Sequence, residues 1–184
     1  DLMADVVDTL ENMPPARDAF FDVGRNGPVA GLIAEMIAAG YTGDKGKGGF
    51  YRLGDNDAEE AIDLATGKPR PRHKKLPQMA ENAAASLAGG GEPLNDLITG
   101  EDSPEGRFSR RVLARVLGYA ASLIPDVTTS PQDIDDAMKL GFNWIRGPFE
   151  MMDAIGAGRM RELLNEAGMA IPPLLESDDP FYQA

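Results

Sequence analysis

Proline and glycine divide this chain into short segments whose apolar residues recur at helical spacing. Proline suits the first turn of a helix, and glycine commonly follows the last turn. Pro28 opens one such segment and Gly40 follows it, Pro131 and Pro148 open two more, and Gly168 follows another. This punctuation predicts a mainly helical chain built from many short helices.

The helical pattern locates each of these helices along the chain. They are predicted over residues 1–11, 28–40, 77–88, 93–99, 107–124, 130–141, 148–156 and 158–168, with a short turn opening at Pro172. Ser130 is expected to cap the helix that Pro131 opens, and Gly141 is expected to end it. Strand-like alternation is confined to a few residues around 50–53 and 61–65.

The longest predicted helix, residues 107–124, has two distinct sides. One side is apolar and carries Phe108, Val112, Leu113, Val116, Leu117, Ala120 and Leu123. On another face Arg107, Arg111 and Arg115 lie four residues apart and form an arginine stripe. The stripe predicts a face toward solvent or a partner, with an anionic ligand as the alternative.

Residues 52–105 differ from the rest in composition. They hold three consecutive glycines, scattered prolines and the basic run KPRPRHKK at 68–75. We interpret the region as a connector containing two short helices, and the basic run as a solvated linker that its prolines keep extended. The alternative is that the run holds a phosphate or an acidic neighbour. His73 lies between Arg72 and Lys74 with no carboxylate beside it, which argues against a catalytic role.

Charge and composition exclude several classes of function. The 184 residues carry a formal net charge of −12, no cysteine and one histidine. A disulfide framework, a cysteine or multi-histidine metal site, a thiol nucleophile and nonspecific nucleic-acid binding are therefore not expected. No apolar stretch approaches bilayer length and the acidic first residues are not expected to act as a signal peptide, so we expect a cytoplasmic protein. Since the first residue is Asp1, we expect a piece of something longer.

The glycine-rich segment YTGDKGKGGFYR, residues 41–52, is the first candidate for phosphate binding. It is not a Walker loop, because Tyr41 stands in place of the first glycine and Gly48 in place of the serine or threonine. It also lacks the third glycine of a dinucleotide loop and follows a helix where a strand is required. A tight turn accounts for the glycines. The alternative is that Lys45 and Lys47 reach an anionic ligand.

Acidic and methionine clusters also have structural explanations. Asp133, Asp135 and Asp136 are close enough for acid–base chemistry. They lie in the first turns of a predicted helix, however, where the helix dipole favours carboxylates, so capping is the preferred interpretation. The methionines are expected to fill the core, and they are Met138, Met151, Met152, Met160 and Met169. Considered by themselves, the residues contain no complete active site.

Two stretches nevertheless resemble a known family. Residues 40–51 match a G-x-x-G-x-K-x-x-x-GFY signature, and residues 133–156 match a D-x-A-M core with a later GPFE and D-x-I-G. Both resemble the C-terminal domain of 3-hydroxyacyl-CoA dehydrogenases, most closely in the fused polypeptides of fatty-acid β-oxidation. The matching residues expected to be structural are Gly43, Gly49, Phe50, Tyr51, Asp135, Gly141, Gly147, Pro148, Phe149, Asp153 and Gly156.

The resemblance implies an all-α fold with two diverged helical repeats of the 6-phosphogluconate dehydrogenase C-terminal-like type. Residues 1–51 would be the end of a first copy of the domain, and residues 106–184 would form a second copy. Residues 52–105 would connect the two copies. A weak internal similarity agrees with this division, because residues 1–51 and 157–182 both run from a helix through a proline-started segment to Phe-Tyr.

The resemblance also limits the expected chemistry. In this family the NAD fingerprint and the catalytic histidine and glutamate belong to an N-terminal nucleotide-binding domain, and Ser109 stands here where a functional asparagine would be. No catalytic residue, metal ligand or NAD contact is therefore carried over to this chain. The implied role is closing the acyl-CoA cleft, with Lys45 and Lys47 as candidate contacts to CoA.

The partners implied are the nucleotide-binding domain and, in fused members, an enoyl-CoA hydratase domain of the same polypeptide, with assembly into a homo-oligomer. The alternatives are an interaction or dimerisation module that touches no ligand, and a free-standing helical binding protein. The length and specificity of the match at residues 133–156 argue against the last of these.

Overall fold

The computed structural model describes residues 2–10, 12–13, 28–91, 93–99 and 102–182. The chain divides into two compact units, Asp1–Lys75 and Leu76–Ala184. The division falls inside the segment expected to be a connector. No helix in the described ranges combines the length and the apolar character that crossing a bilayer requires.

The described residues of the first unit form two helices and a small antiparallel sheet. Its elements are α1 (Leu2–Leu10), α2 (Pro28–Ala38), β1 (Tyr51–Leu53), β2 (Glu59–Ile62) and β3 (Pro69–Pro71). The sheet order is β1-β2-β3, with Tyr51 opposite Ala61 and Ala61 opposite Arg70. Met36, Ala61 and Ile62 are buried. The mainly helical class is confirmed, and the sheet is an addition to the all-α expectation.

The third strand corrects the interpretation of the basic run as a solvated linker. Pro69 and Pro71 lie in β3, which pairs with β2 only, and proline is tolerated at such an edge. A turn held by Asp63 joins the two strands. Its carboxylate accepts hydrogen bonds from the amides of Ala65 at 3.1 Å and Thr66 at 2.9 Å. The local turn therefore folds the run back onto β2.

The second unit is helical throughout its described residues. Its elements are α3 (Gln78–Ala88), α4 (Pro93–Thr99), α5 (Pro104–Ser122), α6 (Pro131–Phe142), α7 (Pro148–Ile155), α8 (Ala157–Glu166) and a single 3-10 turn at Pro173–Leu175. Each helix lies where the sequence pattern predicts one, within a few residues at the ends.

The core of the second unit lies where α5, α7 and α8 pack together. Its members are Ile98, Ala114, Leu117, Ala121, Phe149, Met152, Met160, Leu163, Leu164 and Leu175. Gly118 lets α5 and α8 approach closely, because a Cβ at this position would lie only 2.6 Å from Cδ2 of Leu164 on α8. Met152 and Met160 fill the centre as predicted, and Met151 and Met169 pack around it.

The predicted helix ends are only partly correct. Gly40 and Gly168 both adopt positive φ after a helix, at +84° and +69°, as expected of glycine stops. Gly141, in contrast, lies inside α6, and Asn143 ends that helix with φ at 56°. Ser130 occupies the cap position without a side-chain cap bond, so its predicted capping role is wrong.

The apolar side predicted for the longest helix divides into two surfaces. Ala114 and Leu117 are fully buried, because they face α7 and α8. Phe108, Val112 and Val116 remain exposed, with exposed fractions of 71%, 42% and 39%. The helix therefore carries more apolar surface than its neighbours in the second unit cover.

Candidate functional site

The glycine-rich loop of the first unit is a closed turn. The amide of Gly43 donates to the carbonyl of Gly48 at 2.9 Å, and both glycines adopt positive φ, near +100°. The amide of Gly46 donates back to the Gly43 carbonyl, and a Cβ at Gly46 would overlap the Thr42 hydroxyl. The loop amides named here bond within the turn, so the structural interpretation of these glycines is supported.

Lys47 is part of that turn, whereas Lys45 is not held in place. The ammonium of Lys47 donates to the carbonyl of Ala39 at 3.0 Å, just past the end of α2, and lies 5.9 Å from the ring centre of Tyr41. Lys45 is exposed, and within the described part of the chain its ammonium has no hydrogen bond or ion pair. The two lysines therefore differ as ligand candidates.

Gly49, Phe50 and Tyr51 connect this loop to the sheet. The amide of Gly49 donates to the Tyr51 carbonyl at 3.1 Å, and the Phe50 carbonyl accepts from Ile62 at 2.8 Å. The side chain of Tyr51 is exposed and lies under the guanidinium of Arg72, 4.6 Å from its ring centre. These motif residues therefore shape the backbone more than they fill a core.

The basic run makes ion pairs with β2. Lys74 bonds to Glu59 at 2.8 Å and Arg72 to the same carboxylate at 3.4 Å, and the Lys74 bond is the main reason that the pKa of Glu59 lies below its ordinary value. His73 is exposed between them. The acidic neighbour that the sequence left open as an alternative is thus present within the same unit.

Asp135 is the centre of the second motif. It is fully buried on α6, and its carboxylate accepts the amides of Phe149 at 2.8 Å and Glu150 at 3.0 Å. Those amides belong to the first turn of α7, where backbone donors have no partner within the helix. A carboxylate there also interacts favourably with the helix dipole. Asp135 therefore caps α7, the next helix, rather than its own.

The Gly147-Pro148 pair makes this cap possible. A Cβ at Gly147 would overlap the Cβ and Cγ of Asp135, so only glycine fits. Pro148 occupies the first position of α7, where its missing amide costs nothing. Phe149, the next residue, is fully buried and meets Phe181 edge to face, with ring centres 4.9 Å apart.

Glu150 adds a second cap from within α7. Its carboxylate accepts the amide of Gly147 at 3.0 Å and pairs with Lys139 of α6 at 2.6 Å. The Lys139 ammonium, followed by the Gly147 amide, holds the pKa of Glu150 below its ordinary value, and the pKa of Lys139 is raised in turn. Helices α6 and α7 are thus joined by two carboxylates, one from each.

The C-terminal Phe-Tyr pair completes the site. Asp153 accepts the amides of Phe181 and Tyr182, each at 2.9 Å, and the Tyr182 hydroxyl donates to Asp135 at 2.9 Å. Burial, followed by the bond to Asp135, raises the pKa of Tyr182 above its ordinary value. In the sequence, Phe181-Tyr182 stands out as the end of the second expected domain copy and as part of the internal similarity. No local signal connects Tyr182 with Asp135.

The remaining motif glycines differ in their importance. Gly156 joins α7 to α8 with φ at +86°, a conformation that L side chains rarely adopt. Gly141 has open space around the position of a Cβ and no positive φ. The structure therefore explains a glycine at position 156 and does not explain one at position 141.

The chain's own residues do not fit NAD at the glycine-rich loop. A dinucleotide site needs a glycine loop between a strand and the start of a helix, so that the helix N-terminus meets the pyrophosphate. Here the loop runs from the end of α2 into β1, and the named glycine amides bond within the turn. Among the described residues, no three histidine or acidic side chains gather as metal ligands would.

The second unit is therefore a helical domain in which the buried carboxylate of Asp135 closes the start of one helix and the half-buried one of Asp153 holds Phe181 and Tyr182. Residues 106–174 match the family described as 3-hydroxyacyl-CoA dehydrogenase, C-terminal domain. This segment is similar to that family, and the resemblance predicted from the motifs is thereby confirmed.

Curated relatives extend the similarity beyond this segment. The chain is 29% identical over 174 residues, 95% of its length, to a Rickettsia felis protein named as a fatty acid oxidation complex trifunctional enzyme, of which it covers 22%. It is 31% identical over 146 residues, 78% of its length, to a Bacillus subtilis protein named as a 3-hydroxyacyl-CoA dehydrogenase, of which it covers 18%. The chain thus spans about a fifth of these relatives. No solved structure matches it significantly.

Proposed function

We propose that this chain is the C-terminal helical region of an NAD-dependent 3-hydroxyacyl-CoA dehydrogenase of fatty-acid β-oxidation. The whole enzyme would oxidise 3-hydroxyacyl-CoA to 3-oxoacyl-CoA, with the hydride passing to NAD on a separate nucleotide-binding domain. The family match over residues 106–174 is the observation that carries this proposal. The names of the two relatives, an oxidation-complex enzyme and a dehydrogenase, support it.

The chain's part in this enzyme is structural support of the acyl-CoA cleft. Both buried or half-buried motif carboxylates, Asp135 and Asp153, are occupied with backbone amides, which suits a rigid wall better than acid–base catalysis. We place it in the cytoplasm, in a homo-oligomer, against the nucleotide-binding domain and, in a fused polypeptide, an enoyl-CoA hydratase domain. Residues 1–51 and 106–184 would be two copies of one domain joined by residues 52–105.

Lys45 is the better of the two candidate contacts to CoA. It is exposed and carries a charge that a phosphate would neutralise, whereas Lys47 already donates to the Ala39 carbonyl. Replacing Lys45 with alanine should weaken CoA binding without loosening the turn. Replacing Lys47 should also loosen the turn. A thermal melt of that variant is therefore needed to separate lost CoA binding from lost stability.

Activity assays test the proposal directly. The 184-residue chain mixed with NADH and acetoacetyl-CoA should leave the nicotinamide absorbance unchanged, while the parent polypeptide from the same source should oxidise NADH. Turnover by the 184-residue chain alone would contradict the division of labour. A parent polypeptide without dehydrogenase activity would contradict the proposed function itself.

A second candidate is an interaction module that touches no ligand. The exposed apolar residues of α5, Phe108, Val112 and Val116, favour it, because such surface usually meets another protein or a ligand. Calorimetric titration with CoA separates the two candidates. Heat that falls in the Lys45→Ala variant supports the cleft role, and absence of heat in the wild-type chain supports the interaction role.

A further inference from the structure

Two adjoining cavities in the second unit share the side of α5 that the core does not cover. The first, the cationic cavity, has a volume of about 910 Å³ and is lined by Arg107, Arg110, Arg111 and Arg159 with Asp102 and Glu166. The second, the apolar groove, measures about 560 Å³ and is lined mainly by Met79, Leu97, Phe108, Val112 and Leu113. Pro104 and Phe108 line both, so the two cavities meet there.

The cationic cavity concentrates positive charge in a chain whose net charge is −12. Three of its arginines lie on one face of α5, and Arg159 comes from α8. Four guanidinium groups line it with two carboxylates. Of these carboxylates, Glu166 bonds to Arg159 at 3.1 Å and lies 3.4 Å from Arg110. Arg159 also pairs with Glu162 at 2.8 Å, and Glu105 lines the adjoining groove, so the least compensated positive charge is on the α5 side of the cavity, at Arg107 and Arg111.

Part of this charge is available to a ligand. Arg111 is exposed, and within the described residues its guanidinium has no hydrogen bond or ion pair. Arg107 pairs with Asp102 at 2.7 Å, but the Asp102 side chain is 84% exposed, and exposed ion pairs contribute little free energy. A ligand anion with several oxygens would gain bidentate guanidinium bonds that this aspartate does not saturate.

The apolar groove offers the complementary surface. Phe108 and Val112 are substantially exposed beside the half-buried Leu113, and Phe108 forms the ridge where the groove meets the arginines. Apolar surface of this kind is stabilised when a hydrocarbon displaces the water from it. Only a ligand that has both an anionic group and a hydrocarbon chain would occupy both the cationic cavity and the apolar groove.

We propose that the two cavities form one site for an anionic amphiphile, a molecule with a phosphate or carboxylate head group and an aliphatic chain. The head group binds between Arg107 and Arg111, and the chain passes over Phe108 into the groove against Val112. This site is built from residues of the second unit, uses neither lysine of the glycine-rich loop, and goes beyond the support role proposed above. A free phosphate uses the arginines only, and an uncharged amphiphile uses the groove only.

Calorimetric titration of the 184-residue chain with alkyl phosphates, below their critical micelle concentrations, tests the proposal. Affinity should rise about fourfold for each methylene that enters the groove, from butyl through hexyl to octyl phosphate. Inorganic phosphate and octyl glucoside should both bind far more weakly than octyl phosphate. Octanoate beside octyl phosphate distinguishes a carboxylate from a phosphate as the preferred head group.

Matched variants separate the two halves of the site. Arg111→Gln should weaken octyl phosphate about tenfold and leave octyl glucoside unchanged. Val112→Gln should flatten the dependence on chain length. Arg146→Gln and Leu140→Gln alter exposed residues that line neither cavity and should change nothing.

Three results would overturn the site. They are equal affinity for octyl phosphate and octyl glucoside, an affinity independent of chain length, and an Arg111→Gln variant that binds octyl phosphate normally. Self-association of the chain that Val112→Gln abolishes, without any binding of octyl phosphate, would assign the groove to a second copy and overturn the proposal as well. None of these results depends on dehydrogenase activity, so they leave the proposed function untouched.

Discussion

Asp135 lies directly against Gly147, and a side chain at position 147 would occupy the space of the Asp135 carboxylate. This contact lets one carboxylate reach the first amides of α7 while it also accepts the hydroxyl of Tyr182. The glycine, the aspartate and the C-terminal tyrosine therefore act as one packed unit, although they are far apart in sequence. The single tryptophan, Trp144, lies between α6 and α7, so its fluorescence can report on the unfolding of this part of the second unit.

Gly147→Ala should lower the free energy of unfolding by about 2 kcal/mol or more, because Asp135 must move from its cap to admit a methyl group. Urea unfolding followed by Trp144 fluorescence measures the change. Gly141→Ala is the matched control: its Cβ has open space inside α6, so it should stabilise by about 0.5 kcal/mol. Equal effects of the two variants would contradict the packing argument.

Asp135→Asn keeps the shape of the side chain but replaces one acceptor oxygen by an amide NH2 group, which faces hydrogen-bond donors of α7 or Tyr182. Hydrogen bonds to a buried carboxylate contribute more than neutral ones, and we expect a loss of about 2–3 kcal/mol in the free energy of unfolding. Asp136→Asn is the control: that half-exposed carboxylate bonds to Gln132 and Lys139, and its replacement should cost about 0.5 kcal/mol or less. If Asp135→Asn lowers the free energy of unfolding no more than Asp136→Asn does, α7 does not depend on this cap.

Tyr182→Phe tests how the stability of the second unit changes at alkaline pH. Because the pKa of Tyr182 in the folded chain is raised above its unfolded value, its contribution to stability is present below about pH 10 and is lost as the pH rises toward the raised value. The variant should cost about 1 kcal/mol at neutral pH and lose less stability than wild type above pH ~10. Urea unfolding across alkaline pH measures both, with the exposed Tyr51→Phe as the control, which should follow wild type.

Glu150→Gln tests how the stability of the second unit changes at acidic pH. The pKa of Glu150 is lowered chiefly by Lys139, so its contribution to stability is present above the ordinary glutamate pKa and is lost as the pH falls through the lowered one. The variant should cost about 1 kcal/mol at neutral pH, and its difference from wild type should shrink below pH ~4.5. Glu162→Gln, at a more exposed pair with Arg159, should show little effect at any pH. A difference that does not change with pH would contradict the pairing with Lys139.

Local interactions account for what the sequence alone determined. Helix positions, the stops at Gly40 and Gly168 and the closed glycine-rich turn depend on residues a few places apart, so spacing and backbone freedom were enough to predict them. The family resemblance likewise predicted structural roles for Asp135, Gly147 and Asp153, although not what each of them contacts.

Tertiary structure alone decided the contacts between distant residues. The Tyr182–Asp135 bond and the exposure of Phe108 and Val112 depend on which surfaces meet, and no short sequence pattern encodes that choice. Asp135 shows the reason most clearly. Its position in the first turns of α6 predicts a cap of that helix, but packing against Gly147 turns its carboxylate to the unpaired amides of α7, where burial makes each bond more valuable.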